Sequence, residues 1–289
     1  MNYEGNIIRP PSEANSIILQ VTVGCSHNKC SFCGAYKGVL FRIKENAVID
    51  ADLDFAASYC KRQNKVFLAD GDALIIPHAR LVALLEKIRK KLPWVKRIRL
   101  YGNAKSILMK TPAQLRELKN LGLDRVYMGL ESGYDAVLKD IKKGVTAARM
   151  TEAGRQVKDA DLFLSVTVLL GIGGRTHWRE HAVETSRVLS AISPHQIAAL
   201  TLMLIPGTPL YDQEKSGRFK LPDHIEILHE LRLMVENVDV SKGQFQANHA
   251  SNYLPINCRL PRDKQKILAM IDEALTGQRS LRPDFLRAL

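Results

Sequence analysis

Six times between Ile17 and Ile205, a short run of β-branched and aliphatic residues alternates with an amphipathic stretch long enough for a helix. Repeats of this kind build strand–helix units around a parallel sheet, so the fold class is α/β. The apolar runs cover 17–23, 65–69, 95–101, 125–130, 162–171 and 196–205. Helical patterns fall at 47–62, 77–91, 111–121, 134–159 and 176–192, the fourth broken at Gly144. Thr111 and Pro112 read as an N-cap and a first-turn proline, with Gly122 as the stop. Ser193-Pro194 ends the fifth helix before the sixth strand. Past Pro206 the alternation ceases, giving a helix at 222–237, an irregular segment to 260 and a last helix at 261–277. The expected organisation is an arm over 1–14, a core over 15–212 and an extension over 213–289 packed on the core.

A chain of 289 residues buries about three quarters of its unfolded surface and needs neither disulfides nor a structural metal to fold. No apolar run approaches the ~20 residues of a bilayer span, and Met1 to Gly5 show no secretory pattern, so a cytoplasmic location without membrane contact is expected. Five cysteines are an odd number, and Cys25, Cys30 and Cys33 crowd into one short segment while Cys60 and Cys258 stand alone. That distribution is not a disulfide framework; clustered thiols in a reducing compartment hold metal or do redox chemistry.

The three thiols lie in Gly24-Cys25-Ser26-His27-Asn28-Lys29-Cys30-Ser31-Phe32-Cys33-Gly34, a CxxxxCxxC run directly after the first strand. Three thiolates in one loop suit an iron–sulfur cluster, whose simplest form takes four. A missing fourth leaves one iron open to a ligand, as in catalytic metal sites. A Cys₃His zinc site that recruits His27 is the other reading.

This run resembles the hallmark of the radical S-adenosylmethionine (SAM) enzymes, CxxxCxΦC after the first strand, with Phe32 in the aromatic position and one additional residue between the first two cysteines. Further resemblances stand at later strand ends, where parallel barrels present their chemistry. Ala69-Asp70-Gly71-Asp72 is similar to the Gly-Gly-Glu motif whose backbone and carboxylate hold the methionine amino group of SAM, with Asp72 in the acidic position. Glu131 and Ser132, in Gly129-Leu130-Glu131-Ser132-Gly133, resemble the ribose- and carboxylate-binding segment of oxygen-independent coproporphyrinogen oxidases and elongator-type proteins. Gly171, Ile205 and Pro206 match backbone edges that cup adenine in those relatives. Asn103, after the third strand, faces ribose or substrate in the same scheme, or simply caps its loop.

The resemblance implies a partial (β/α)6 TIM-type barrel with a C-terminal helical extension. It implies a [4Fe-4S] cluster on Cys25, Cys30 and Cys33, with SAM as second cofactor. Such an enzyme cleaves SAM reductively to a 5′-deoxyadenosyl radical that takes hydrogen from its substrate, under anaerobic conditions and with a one-electron donor such as flavodoxin or ferredoxin. No residue announces itself as catalytic on the substrate.

The net charge of +12 admits an anionic small molecule or nucleic acid as partner. The densest basic run is Lys87, Arg89, Lys90, Lys91, Lys96, Arg97 and Arg99, at the strand starts and opposite the cysteine face. A small anionic substrate is therefore the first expectation. An RNA nucleoside is the second, and a non-catalytic SAM- or haem-binding relative the third. Lys37, Arg42, Lys44, Arg175 and Arg179 are scattered on the reactive side. His177 and His181 alternate with the latter pair in a cluster that either holds a substrate carboxylate or phosphate or forms an exposed polar face, and His249 to Tyr253 form a polar patch in the 241–260 segment that is either a substrate contact or a solvated loop.

Overall fold

The computed structural model describes residues 1–288; Leu289, the end of the expected extension, lies outside the described residues. The chain forms two compact units, one of 1–28, 35–128 and 155–164, the other of 29–34, 129–154 and the chain from 165 onward.

In the first unit the order is β1 (Ile17–Gln20), β2 (Thr22–Val23), β3 (Arg42–Ile43), α1 (Asn46–Tyr59), β4 (Lys65–Ala69), α2 (His78–Lys91), β5 (Arg97–Tyr101), α3 (Ala104–Leu108) and α4 (Pro112–Asn120). It closes with β6 (Leu123–Glu131), whose last residues belong to the second unit. Strands β1, β4, β5 and β6 pair in parallel in that order. The apolar run expected as one strand over 17–23 is divided: Val21 still donates to Ala69, and β2 then turns away to pair antiparallel with β3. Strand side chains alternate between two faces. Leu19, Val66, Leu68 and Leu100 are fully buried on one, as are the stripes Leu81, Leu85 and Ile88 of α2 and Leu115 and Leu118 of α4. Phe67, Ala69 and Tyr127 cluster on the other with Ile18 and Tyr101. Helix α4 opens with a capping box between Thr111 and Gln114 and stops at Gly122, as its sequence dictates.

The N-terminal arm is tied to this unit. Tyr3 donates to the Ile18 carbonyl, and the Glu4 backbone exchanges hydrogen bonds with the Gln20 side chain. Ile7 packs on the Phe67–Tyr127 cluster. Glu13 is fully buried and accepts from Arg99 Nη1 at 2.7 Å, from Ser16 at 2.6 Å and from the Tyr127 hydroxyl. Arg99 is thus no surface charge. Elsewhere in the same basic run, Lys87 pairs with Asp50, Lys91 with Asp54, and Arg89 donates to the Asn120 carbonyl.

Beyond β6 follow α5 (Asp135–Asp140), α6 (Ala147–Asp159), β7 (Phe163–Leu170), α7 (Gly174–Ile192), β8 (Gln196–Thr201), α8 (Pro209–Lys215), α9 (His224–Asn237), β9 (Gly243–Gln246), β10 (Asn257–Leu260) and α10 (Lys264–Leu275); the end of α6 and the first residues of β7 belong to the first unit and the rest to the second. The break at Gly144, which takes φ +72°, separates α5 from α6. Strands β7, β8 and β9 run parallel, and β10 returns antiparallel to β9.

The extension is therefore not purely helical, contrary to the sequence expectation, and the segment read as irregular supplies two strands. Gly243-Gln244-Phe245-Gln246 offers a single apolar side chain, Phe245, which is buried while the glutamines are half-exposed. Parallel pairing of Gln196 with Gln244 and Ile197 with Phe245 makes it a strand, and no periodicity in four residues announces that. No helix among the described residues is long and apolar enough to cross a membrane.

Candidate functional site

In the first unit, the cysteine loop leaves β2 through Gly24 at φ +78°. Within the CxxxxC spacing Asn28 adopts φ +41°, a left-handed conformation that Asn tolerates well. Its side-chain amide donates to the carbonyls of Tyr36 at 2.8 Å and Val39 at 3.2 Å. The loop is thereby anchored to the segment that follows it.

Gly71 donates to Gly24 O at 3.2 Å, which lays the Asp70-Gly71-Asp72 segment against Cys25. A Cβ at Gly71 would stand 2.7 Å from the Tyr36 ring and 3.1 Å from Cys25 Cβ. Only glycine admits this approach, and Gly71→Ala is expected to displace Cys25 and cut cluster loading several-fold, measured as iron per chain after anaerobic reconstitution. Unchanged loading would show that the loop tolerates the shift.

Asp70 is buried beneath Tyr36, whose hydroxyl donates to it at 2.6 Å; Gln20 donates to its other oxygen at 3.3 Å. Burial pushes the Asp70 carboxyl above its ordinary range, and these hydrogen bonds oppose the rise only in part. Burial, followed by the Asp70 contact, drives the Tyr36 phenol well above its own range, so Tyr36 stays a donor.

Asp72 is also fully buried, and four donors meet its two oxygens. Ser26 Oγ stands at 2.5 Å, Ser106 Oγ at 2.7 Å, Asn103 Nδ2 at 2.7 Å and Asn103 N at 3.2 Å. Burial raises this carboxyl too, and the hydrogen bonds from Ser26 and Ser106 lead the opposing causes. The structure thus joins Asp72 and Asn103, both expected from sequence, and adds Ser26 and Ser106, which were not. Ser26 lies inside the cysteine run and Ser106 three residues beyond Asn103, positions at which serine carries no signal of its own. Asn103 also caps α3 by accepting from Ser106 N.

In the second unit, Ser31 N donates to Ile141 O at 2.9 Å and Ser31 O accepts from Leu210 N at 3.0 Å, which pins the Cys30-to-Cys33 turn from both sides. Phe32 packs against the apolar cluster built around Ile141, Leu169, Ile172 and Leu210. A Cβ on Gly34 would lie 2.8 Å from Ile205 Cγ2, so this glycine lets the loop reach the Ile205-Pro206 segment. Glu131 takes φ +62° and pairs with Lys143 at 2.9 Å. Ser132 Oγ accepts from Tyr134 N at 3.0 Å, and Gly171 holds φ +82° at the end of β7.

The chemistry of the donor set fits an iron–sulfur cluster. Cys25, Cys30 and Cys33 are each half-exposed, and none is committed to a disulfide. Among the described residues no three His, Cys, Asp or Glu side chains are grouped around a single-ion position. A cubane distributes its thiolates over separate irons, whereas a tetrahedral zinc gathers its ligands within about 2.3 Å of one point.

Other candidates are used by the fold. Lys44 is buried near Asp52 and donates to the Asn2 carbonyl, Arg42 pairs with Glu4, and Arg175 pairs with Glu226 at 2.8 Å. Ser251 and Asn252 of the polar tail patch are buried against the end of β8: Ser251 Oγ accepts from Thr201 N, and Asn252 Nδ2 donates to Ala199 O.

The described geometry agrees with known proteins. A stretch of the tRNA uridine(34) acetyltransferase of Methanocaldococcus infernus is 26% identical over 108 residues, 37% of this chain and 20% of that protein. The chain therefore spans about a fifth of that relative's length. Coproporphyrinogen III oxidase from Escherichia coli, described as a radical SAM enzyme, superposes with a TM-score of 0.56 at 15% identity, over 76% of this chain and 52% of its own. Methylornithine synthase superposes with a TM-score of 0.53 at 19% identity, over 78% and 65%. At such identities these two speak for the fold, a mainly parallel partial barrel. The Radical SAM superfamily pattern matches residues 19–185, more than half of the chain and all three cysteines. That match makes this protein a member of the radical SAM superfamily, whose cofactors are a [4Fe-4S] cluster and S-adenosylmethionine.

Proposed function

We propose that the chain holds a [4Fe-4S] cluster on Cys25, Cys30 and Cys33 and uses it to cleave SAM reductively, with a small anionic molecule as substrate. The observation that carries this reading is the seating of Asp70-Gly71-Asp72 directly on Cys25, closer than any residue but glycine would permit. When bound, the two cofactors supply one-electron cleavage of a carbon–sulfur bond and a hydrogen-abstracting 5′-deoxyadenosyl radical.

The chain's own residues hold and shield them. The barrel core over 15–212 carries every one of these groups. Asp70 and Asp72 give the SAM ammonium an acidic neighbourhood, with backbone carbonyls of the same segment to accept its protons. Asn103, Glu131 and Ser132 supply polar partners for ribose and carboxylate, and Gly171, Ile205 and Pro206 supply the backbone edge for adenine. Phe32, seated in its apolar cluster, keeps water from the cysteine turn. An external one-electron donor completes the cycle.

A small substrate is favoured over RNA because the densest basic run is largely consumed within the fold by Glu13, Asp50, Asp54 and the Asn120 carbonyl. An RNA nucleoside is the second reading, favoured by the named activity of the M. infernus relative.

Anaerobically reconstituted protein, reduced and mixed with SAM, should release 5′-deoxyadenosine, and the low-molecular-mass fraction of a cell extract should raise the yield where bulk tRNA does not. A protein with full iron that releases none would overturn the reading. Stimulation by tRNA alone would transfer it to RNA.

A further inference from the structure

Two polar side chains in the second unit are buried far from the surface roles their sequence suggests. His181, on α7, follows Arg175, His177 and Arg179 and reads as one more member of an exposed polar face; its side chain is in fact fully buried. Glu230, on α9 of the extension, interrupts an apolar stripe formed by Ile227, Leu231 and Met234, and it too is fully buried. The two face each other, His181 Nε2 standing 3.3 Å from Glu230 Oε1.

Each also reaches a segment assigned above to SAM. Glu230 Oε1 accepts from Gly171 N at 2.8 Å. His181 Nδ1 stands 2.8 Å from Ser132 Oγ. Because Ser132 Oγ already accepts from Tyr134 N, its own proton is free to go to His181 Nδ1, which leaves the Nε2 proton directed toward Glu230. Thr185, one turn along α7, accepts from Gly133 N at 2.8 Å and lies 3.3 Å from the same His181 nitrogen. Burying an acid and an imidazole in an apolar layer costs stability unless both are paired. Here the pairing is incomplete, since Glu230 Oε2 and His181 Nε2 lack a well-aligned hydrogen bond. A position chosen only for packing would carry leucine, in keeping with its neighbours on α9.

We infer that Glu230 and His181 are positioning residues for SAM: from the C-terminal extension, Glu230 fixes the Gly171 amide directly and the Ser132 hydroxyl through His181. The inference rests on the assignment of Ser132 and Gly171 to SAM under the proposed function. It gives the extension a task in cofactor binding that its place outside the strand–helix repeats does not suggest.

The test is SAM affinity of the reconstituted full chain by equilibrium dialysis, alongside iron content and thermal unfolding. Glu230→Ala should retain its iron and weaken SAM binding about ten- to a hundredfold, the range typical when a group supporting a ligand shell is lost. Glu230→Gln keeps an oxygen for the Gly171 amide and should recover most of the affinity, whereas Glu230→Met, which fills the same space without an acceptor, should not, a split that loss of packing alone would not produce. His181→Ala should weaken binding less than Glu230→Ala and add little to it in the double variant, because both act on one chain of contacts. Should Glu230→Ala fail to fold, Glu230→Gln and His181→Ala decide the matter, and wild-type affinity in His181→Ala overturns the inference. Wild-type affinity in folded Glu230→Ala overturns it equally. A wild-type protein with full iron that ignores SAM would instead overturn the assignment on which it rests.

Discussion

Cys30→Ala is expected to leave the reconstituted protein essentially without iron and without 5′-deoxyadenosine release, while Asp72→Ala keeps its iron and loses SAM affinity. The contrast separates a ligand from a support. Cys30 lies in a turn pinned through Ser31 to Ile141 and Leu210, so its loss removes a thiolate and leaves the turn in place. Two remaining thiolates do not hold a cluster whose simplest form uses four. Asp72 is the shared acceptor of Ser26, Asn103 and Ser106, and removing it strands buried donors at roughly 1–3 kcal/mol each. The damage falls on Asn103 and on the stretch after Cys25, with the thiols untouched. Iron per chain and SAM affinity, measured on both variants, check this; equal loss of iron in the two would contradict the assignment.

The largest effect on stability is expected at the arm. Arg99→Ala leaves Glu13 buried without its cation, a change that costs about 3–5 kcal/mol in comparable pairs. In a chain of this size the melting temperature should fall by on the order of 10 °C. Glu13→Gln, which keeps one oxygen to accept from Tyr127 and places its amide NH2 beside the Ser16 hydroxyl, should cost less.

The two variants also differ in pH response. Burial alone would raise the Glu13 carboxyl, but hydrogen bonds from Ser16, Tyr127 and Arg99 outweigh it and hold the group below its ordinary value of 4.5. In the acid range the unfolded chain therefore binds the proton more readily than the folded one. The stabilisation is complete above the unfolded value and is lost as pH falls through the depressed one. Glu13→Gln should flatten the stability curve below about pH 4.5 relative to wild type, as thermal scans at graded pH would show.

Much of the architecture was legible because long periodic elements carry their own signals. The capping residues of α4, the break at Gly144 and the five major helices of the repeats follow from local rules. What stayed hidden depends on partners far away in sequence. Arg99 reads as surface charge among lysines, and only its pairing with Glu13, 86 positions earlier, turns it inward. Strands β9 and β10 are four residues each, too short for alternation to register, and exist because β8 offers an open edge. At the site, the cysteine spacing and the strand-end motifs identified a chemistry. Ser26, Ser106 and Glu230 were beyond reach because a serine near a turn or a glutamate on a helix says nothing until its partner is placed.

The ends of the strand ladders bear on solubility. In the first unit the outer flank of β1 is Ile17-Ile18-Leu19, an apolar edge able to template a foreign strand, and Tyr3 and Glu4 lie hydrogen-bonded across it. In the second unit the ladder stops at β10, which is four residues long, exposes Asn257 and Arg259, and runs into Pro261, a residue with no amide proton to extend a sheet. The arm is therefore expected to guard that edge against self-association. A preparation trimmed of its first residues would be expected to accumulate as soluble aggregates even where its cofactor chemistry survives.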